Sequence, residues 1–339
     1  RGASRLATTV GISPLVIGLT VVAFGTSAPE LAVTAGAAYA GQPDVAIGNV
    51  VGSSIFNVLF ILGIAALIVP LVVAQQLVRL DVPVMIGSSL VLWALAYDGL
   101  IGRLDGLLLC GLTIAYVVFL IRLSRRETAD IRSEYEEAFG QVSATPGRVL
   151  NGGLVVVGLA LLVLGSRWLV DAAVGIASGL GISELVIGLT VVAAGTSLPE
   201  VATSVLAAVR GERDIAVGNV VGSNILNILC VLGVSSLISP AGIAVSTGAL
   251  TFDIPVMTAV AIAVLPVAFT GYTIARWEGF VFVGYYVAYT TYLVLDATSH
   301  DALPAFGAAM SWFALPLTVL TLAIIALRAF RARDHGNLT

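Results

Sequence analysis

The chain has 339 residues, 58% of them hydrophobic and 11% charged, with a mean hydropathy of +1.04 and a formal charge of −4. Soluble domains carry about 25% charged residues, so the composition excludes an ordinary water-soluble domain and points to an all-α polytopic membrane protein. No basic patch with interleaved aromatics occurs, which argues against a nucleic-acid partner. A span needs roughly 20 apolar residues. Ten such runs follow in order: 13–39, 45–70, 82–98, 103–123, 149–178, 182–209, 214–238, 250–270, 275–296 and 304–330. The alternation of barrel strands is absent.

The first span is interrupted by "GTSAPE" at residues 25–30, and the sixth by "GTSLPE" at 195–200. These interruptions belong to a longer repeat. Residues 11–70 and 181–240 align at a fixed offset of 170, with 37 of 60 positions identical. The likeness continues weakly through "LDVPVM" and "FDIPVM", then "RLDG" and "RWEG". Five spans per repeat is an odd number, so the repeats insert in opposite senses, an arrangement common in secondary transporters. The reading divides the chain into a first repeat (1–123), a linker (124–148), a second inverted repeat (149–296), and an extra span with a tail (297–339).

Span 149–178 opens the second repeat, whereas its counterpart in the first is only the stub 1–10, so the first helix of repeat one is expected to be missing. Span 304–330 runs in the sense the missing helix would, but shows no likeness to 149–170. A peripheral position would exclude it as a substitute. All sixteen basic residues are arginine, and fourteen fall on one side if the spans alternate. The positive-inside rule then makes the 124–148 loop and both chain ends cytoplasmic, in a cell (inner) membrane.

A carboxylate at bilayer depth costs at least about 2.5–3.5 kcal/mol and is tolerated when it faces a cavity, an ion or a partner. On a helix, Ala23, Thr26, Ser27 and Glu30 share one face, as do Ala193, Thr196, Ser197 and Glu200. Pro29 and Pro199 remove backbone donors, which is expected to free carbonyls near Ala23 and Ala193. A local alternative is a capping box, because Ser27-x-x-Glu30 and Ser197-x-x-Glu200 match that signature. The following spans carry "GNVVGSSIFN" and "GNVVGSNILN". These put Asn49, Ser53 and Asn57 on one face, and Asn219, Ser223 and Asn227 on another. Ser53, Asn57, Ser223 and Asn227 read as site residues. Asn49 and Asn219 read equally well as site or as helix packing. The resulting donor set is all oxygen, which suits Ca²⁺, Na⁺ or Mg²⁺ rather than zinc or copper. Cys110 and Cys230 lie within spans and behave as small hydrophobes. Asp44, Asp214, Asp81 and Asp253 read as carboxylates at helix starts.

The doubled "GTSxPE" and "GNVVGS(S/N)IxN" motifs resemble those of the cation/calcium antiporter superfamily, most of all its sodium/calcium exchangers, over Gly11 to about Asp296. The resemblance implies a ten-helix fold that exchanges Ca²⁺ for Na⁺ by alternating access. Both are transported ions, and no organic cofactor or obligate protein partner is implied. By motif position, Glu30 and Glu200 would be the shared carboxylates. Thr26, Ser27, Thr196 and Ser197 would give hydroxyl and carbonyl oxygens, Ala23 and Ala193 carbonyls. Ser53, Ser223, Asn57 and Asn227 would complete the set. Some members carry aspartate at one of the two late asparagine positions; here both are neutral. Span 149–178 would be a gating helix. Proton/Ca²⁺ antiport on the same fold and a passive cation channel are the rival readings. An intramembrane enzyme is disfavoured, because no zinc motif, catalytic aspartate pair or serine–histidine dyad falls in the spans.

Overall fold

The computed structural model describes residues 14–126, 184–269, 271–321 and 323, with scattered helical positions between 153 and 175. The N-terminal stub, the 124–148 linker beyond residue 126, most of span 149–178 with its Arg167 and Asp171, which the sequence suggests as an intramembrane ion pair, and the C-terminal tail lie outside the described residues.

Long apolar runs form long helices, even where a proline such as Pro266 of the ninth helix falls inside one. Among the described residues, seven helices are long and apolar enough to cross a membrane: α3 (Pro43–Ile68), α4 (Leu77–Asp98), α5 (Arg103–Leu123), α8 (Arg213–Ile238), α9 (Ala249–Phe269), α10 (Arg276–Ala297) and α11 (Leu303–Thr321). Two further spans are bent pairs: α1 (Leu15–Thr26) with α2 (Ala28–Tyr39) at 45°, and α6 (Gly188–Thr196) with α7 (Leu198–Val209) at 52°. The protein is therefore a helical, multi-pass membrane protein. Nine of the ten expected spans are described. The third begins at Leu77 rather than residue 82, because a wide π turn over Leu77–Asp81 leads into it.

The bends occur where the motifs put proline. Pro29 and Pro199 each sit in the first turn of the second half-helix, and Ser27 and Ser197 are the residues before that turn, with ψ of 6° and 8°. A proline at that position lacks a donor that the first turn leaves unused anyway. The donor it removes would have reached four residues back, to Gly25 and Gly195.

α3 and α8 form the core. In their apolar windows 78% and 94% of residues are buried, against 22% in α5 and 17% in α10. Each crosses the bent pair of the other half: α3 packs on α6 and α8 on α1. Small residues make the crossing close. A Cβ on Gly222 would lie 2.7 Å from the Leu19 backbone, and one on Gly52 would collide with Leu189 in the matching place. In a bilayer, where apolar burial drives little association, such close backbone approach is a main source of helix–helix affinity.

Two short antiparallel ladders also join the halves. β1 (Leu71–Val72) pairs with β4 (Thr273–Ile274), and β2 (Leu100–Ile101) pairs with β3 (Ile243–Ala244). α11 lies at the edge and buries none of its described residues. It rests on α10, whose Tyr285 hydroxyl donates to the Ala314 carbonyl at 3.1 Å. That peripheral position removes α11 as a stand-in for a core helix.

Candidate functional site

Two bent pairs and two long helices meet at the centre, and every residue expected at a site from the sequence is buried there. Glu30, Glu200, Thr26, Ser27, Thr196, Ser197, Ala23, Ala193, Ser53, Asn57, Ser223 and Asn227 are all at most 3% exposed.

Both carboxylates are hydrogen-bonded from the opposite half. Ser197 Oγ donates to Glu30 Oε1 at 2.8 Å, and Ser27 Oγ donates to Glu200 Oε1 at 3.4 Å. Neither serine caps its own helix by a side-chain bond. The capping-box alternative is thus not realised: each hydroxyl is spent on the other half's carboxylate. Ser223 Oγ reaches the same Glu200 Oε1 at 3.5 Å. Thr26 Oγ1 lies 3.5 Å from Ser223 Oγ, and Thr196 Oγ1 lies 3.5 Å from Ser53 Oγ.

The carbonyls of Ala23 and Ala193 are not freed, contrary to expectation. Ala23 O accepts the Ser27 amide at 2.9 Å and Thr26 Oγ1 at 3.2 Å. Ala193 O accepts the Ser197 amide at 3.1 Å, Thr196 Oγ1 at 3.2 Å and Ser53 Oγ at 3.4 Å. The helix keeps its ladder through these carbonyls, because the proline deletes a donor two residues further on.

Asn49 and Asn219 are both engaged by neighbouring helices. Asn49 Nδ2 donates to Thr34 Oγ1 at 2.9 Å and to the Glu30 carbonyl at 3.3 Å, while its Oδ1 accepts from Thr196 Oγ1 at 3.0 Å. Asn219 repeats this, donating to Ser204 Oγ at 3.0 Å and accepting from Thr26 Oγ1 at 3.2 Å. Both amides are committed on each side.

What remains uncommitted in the cluster is carboxylate oxygen and side-chain amide. Glu30 Oε2, Glu200 Oε2, Asn57 Oδ1 and both amide atoms of Asn227 are buried with no hydrogen-bond partner. Buried polar atoms are otherwise almost always satisfied. Asn57 and Asn227 also begin wide π turns, Asn57–Leu62 and Asn227–Leu232, a feature enriched at functional sites.

The sequence reading missed two features. Asn224 has no counterpart in the first motif, where Ser54 stands, and it bonds Asn57. Asp81 and Asp253, read as carboxylates at helix starts, lie a turn inside their spans Leu77–Asp98 and Ala249–Phe269. They are 0% and 2% exposed and accept the hydroxyls of Tyr116 at 3.0 Å and Tyr289 at 2.9 Å. Only the matched "DVP" and "DIP" steps hinted that they were equivalent, and nothing in sequence named the tyrosines.

The sodium/calcium exchanger protein family matches residues 1–122 and 150–295. The chain belongs to this family. It is 35% identical to the sodium/calcium exchanger MaX1 of Methanosarcina acetivorans, over 86% of this chain and 92% of that one. It is 42% identical to the inner membrane protein YrbG of Escherichia coli, over 70% and 74% of the two chains. The solved structure of the sodium-calcium exchanger NCX_Mj, soaked with Na⁺ and Ca²⁺, superposes with a TM-score of 0.70 at 32% identity, covering 84% of this chain and 89% of that one. This is a family of membrane exchangers rather than enzymes, and the present member shares their helical fold.

Proposed function

We propose that this exchanger is a secondary active antiporter moving Ca²⁺ against Na⁺ by alternating access, with the ions bound between its two halves. The supporting observation is the set of four buried, unpartnered oxygens: Glu30 Oε2, Glu200 Oε2, Asn57 Oδ1 and Asn227 Oδ1. All lie on the twin motifs, and the hydroxyls of Thr26, Ser27, Ser53, Thr196, Ser197 and Ser223 link up with one another and with the two carboxylates beside them. The carbonyls of Ala23 and Ala193 border the same cluster but already accept two and three hydrogen bonds, so they would join the donor set only by giving up a hydroxyl partner.

The spacing supports a hard cation. Several oxygen pairs in the cluster stand 3.4–3.5 Å apart, longer than the 2.7–2.8 Å usual for O–H···O bonds. Neighbouring oxygens of a six-coordinate Ca²⁺, each about 2.4 Å from the ion, lie about 3.4 Å apart. Two carboxylates neutralise one Ca²⁺. More than two Na⁺ in exchange would then carry net charge. The names of MaX1 and NCX_Mj favour Na⁺ as the coupling ion.

The repeats, 1–123 and 149–296, are taken to have opposite orientations in a cell membrane, with the 124–148 linker and the C-terminus cytoplasmic. Bent helices around a central site fit a carrier better than an open pore. The test is uptake of radiolabelled Ca²⁺ into proteoliposomes holding the full chain. One arm carries an outward Na⁺ gradient, another an outward proton gradient, and a third the Glu30→Gln/Glu200→Gln variant. The expected result is saturable uptake that needs the Na⁺ gradient and is lost in the variant. Uptake following protons would replace the coupling ion, and uptake that never saturates would indicate a channel.

A further inference from the structure

Asn57 and Asn227 hold equivalent places in the two motifs, yet their amides are held differently. Asn57 Nδ2 donates to Asn224 Oδ1 at 3.2 Å, and Asn224 Nδ2 donates to the Met85 sulfur at 3.5 Å. Exposure of the three is 0%, 2% and 1%. A thioether sulfur accepts and never donates. Met85 therefore turns the Asn224 nitrogen towards itself and the Asn224 oxygen towards Asn57. Asn57 answers with its nitrogen, which aims its own oxygen the other way, where no protein donor meets it.

The second half lacks this chain of contacts. The residue matching Asn224 in the first motif is Ser54, whose hydroxyl donates back to the Val50 carbonyl at 2.8 Å. Asn227 is left with neither amide atom partnered. An amide free to turn presents hydrogens to a cation as readily as oxygen. An anchored one has met that orientational cost before the ion arrives.

We propose that Asn224, braced by Met85, is a positioning residue that aims the Asn57 oxygen at the bound cation, so that the two halves of the cage contribute unequally to Ca²⁺ affinity. The inference rests on the ion-site reading above. Asn224 acts through Asn57 and does not itself touch the ion.

The test is equilibrium binding of radiolabelled Ca²⁺ to the purified full chain and four variants: Asn57→Ala, Asn224→Ser, the double variant, and Met85→Leu. Asn224→Ser installs the residue that the other half already tolerates, and Met85→Leu conserves volume. Supporting side chains of this kind are typically worth about 10–100-fold in metal affinity. Asn57→Ala and Asn224→Ser are each expected to weaken Ca²⁺ binding about 10-fold, Met85→Leu several-fold. In the Asn57→Ala background, Asn224→Ser is expected to add nothing, the mark of residues acting as one unit.

Unchanged affinity in Asn224→Ser, with Asn57→Ala impaired, would overturn the positioning role and leave the site intact. Additive losses in the double variant would overturn it too. If a fifth variant, Glu30→Gln, and Asn57→Ala both left Ca²⁺ binding unchanged, the site itself would fall. Should Asn224→Ser fail to fold, Met85→Leu carries the test alone, since it removes the sulfur that sets the amide at nearly constant volume.

Discussion

Tyr116 donates to Asp81 and Tyr289 to Asp253, each closing a buried carboxylate that faces none of the twin motifs through any hydrogen bond described above. Removing the hydroxyl leaves that carboxylate short of a donor, at a cost of about 1–3 kcal/mol. Tyr116→Phe is therefore expected to lower the melting temperature of the detergent-solubilised protein while leaving its Ca²⁺ affinity unchanged. Loss of affinity without loss of stability would place the pair in the ion pathway instead. Asn49→Ala should behave differently, because its amide fastens both Thr34 and Thr196. Both stability and Ca²⁺ binding are expected to fall, since Thr196 Oγ1 would lose a 3.0 Å acceptor that holds it beside Ser53. At this scale the chemistry was legible where it repeated. Glu30 and Glu200 stood out because a costly residue occurred twice at one offset. Tyr116 did not, because it sits 35 residues from Asp81 in a span with no motif, and only folding brings the two together.

The bent pair is the element that the motifs specify most completely. Pro29→Ala would restore a donor for the Gly25 carbonyl. It should straighten the α1–α2 junction, raise thermal stability or leave it level, and weaken Ca²⁺ binding by drawing Glu30 away from Ser197. A weakened protein that still binds normally would deny the bend its role. Gly222→Ala tests the crossing from the other side. With its Cβ 2.7 Å from the Leu19 backbone, the methyl forces α8 from α1, at about 1–3 kcal/mol, and the melting temperature should drop. Helices and bends could be read from apolar runs and proline. The serine contacts could not, because "SAPE" and "SLPE" carry the same letters as a local cap, and only the close packing of the halves offers a better acceptor. The π turns at Asn57 and Asn227 were equally silent, since nothing in "NVLFIL" or "NILCVL" departs from an ordinary apolar helix.

In the whole molecule, hydropathy found the described spans to within a few residues. It could not rank them, because a lipid-facing helix and a core helix read alike when both are apolar. α11 and α8 show the difference: the first has no buried residue in its window, and the second has 94%. Removing the chain after Ala297 is accordingly expected to preserve Ca²⁺ binding and Na⁺-driven uptake, measured side by side with the full protein. Loss of both would assign α11 a part in assembly that its packing does not reveal. The two short ladders had no sequence signature at all. Each couples a linker of one half to a linker of the other, so rearrangements of the halves must bend around these four strands or break them.

The cross-half pairing of Glu30 with Ser197 also sets a schedule for biogenesis. The two partners are 167 residues apart in the chain. A ribosome adding 5–20 residues per second makes the serine roughly 10–30 s after the glutamate. During that interval the nascent first half holds a carboxylate whose eventual donor has not been synthesised, which makes the early membrane-inserted intermediate the form most dependent on insertion machinery or on water retained beside the helix.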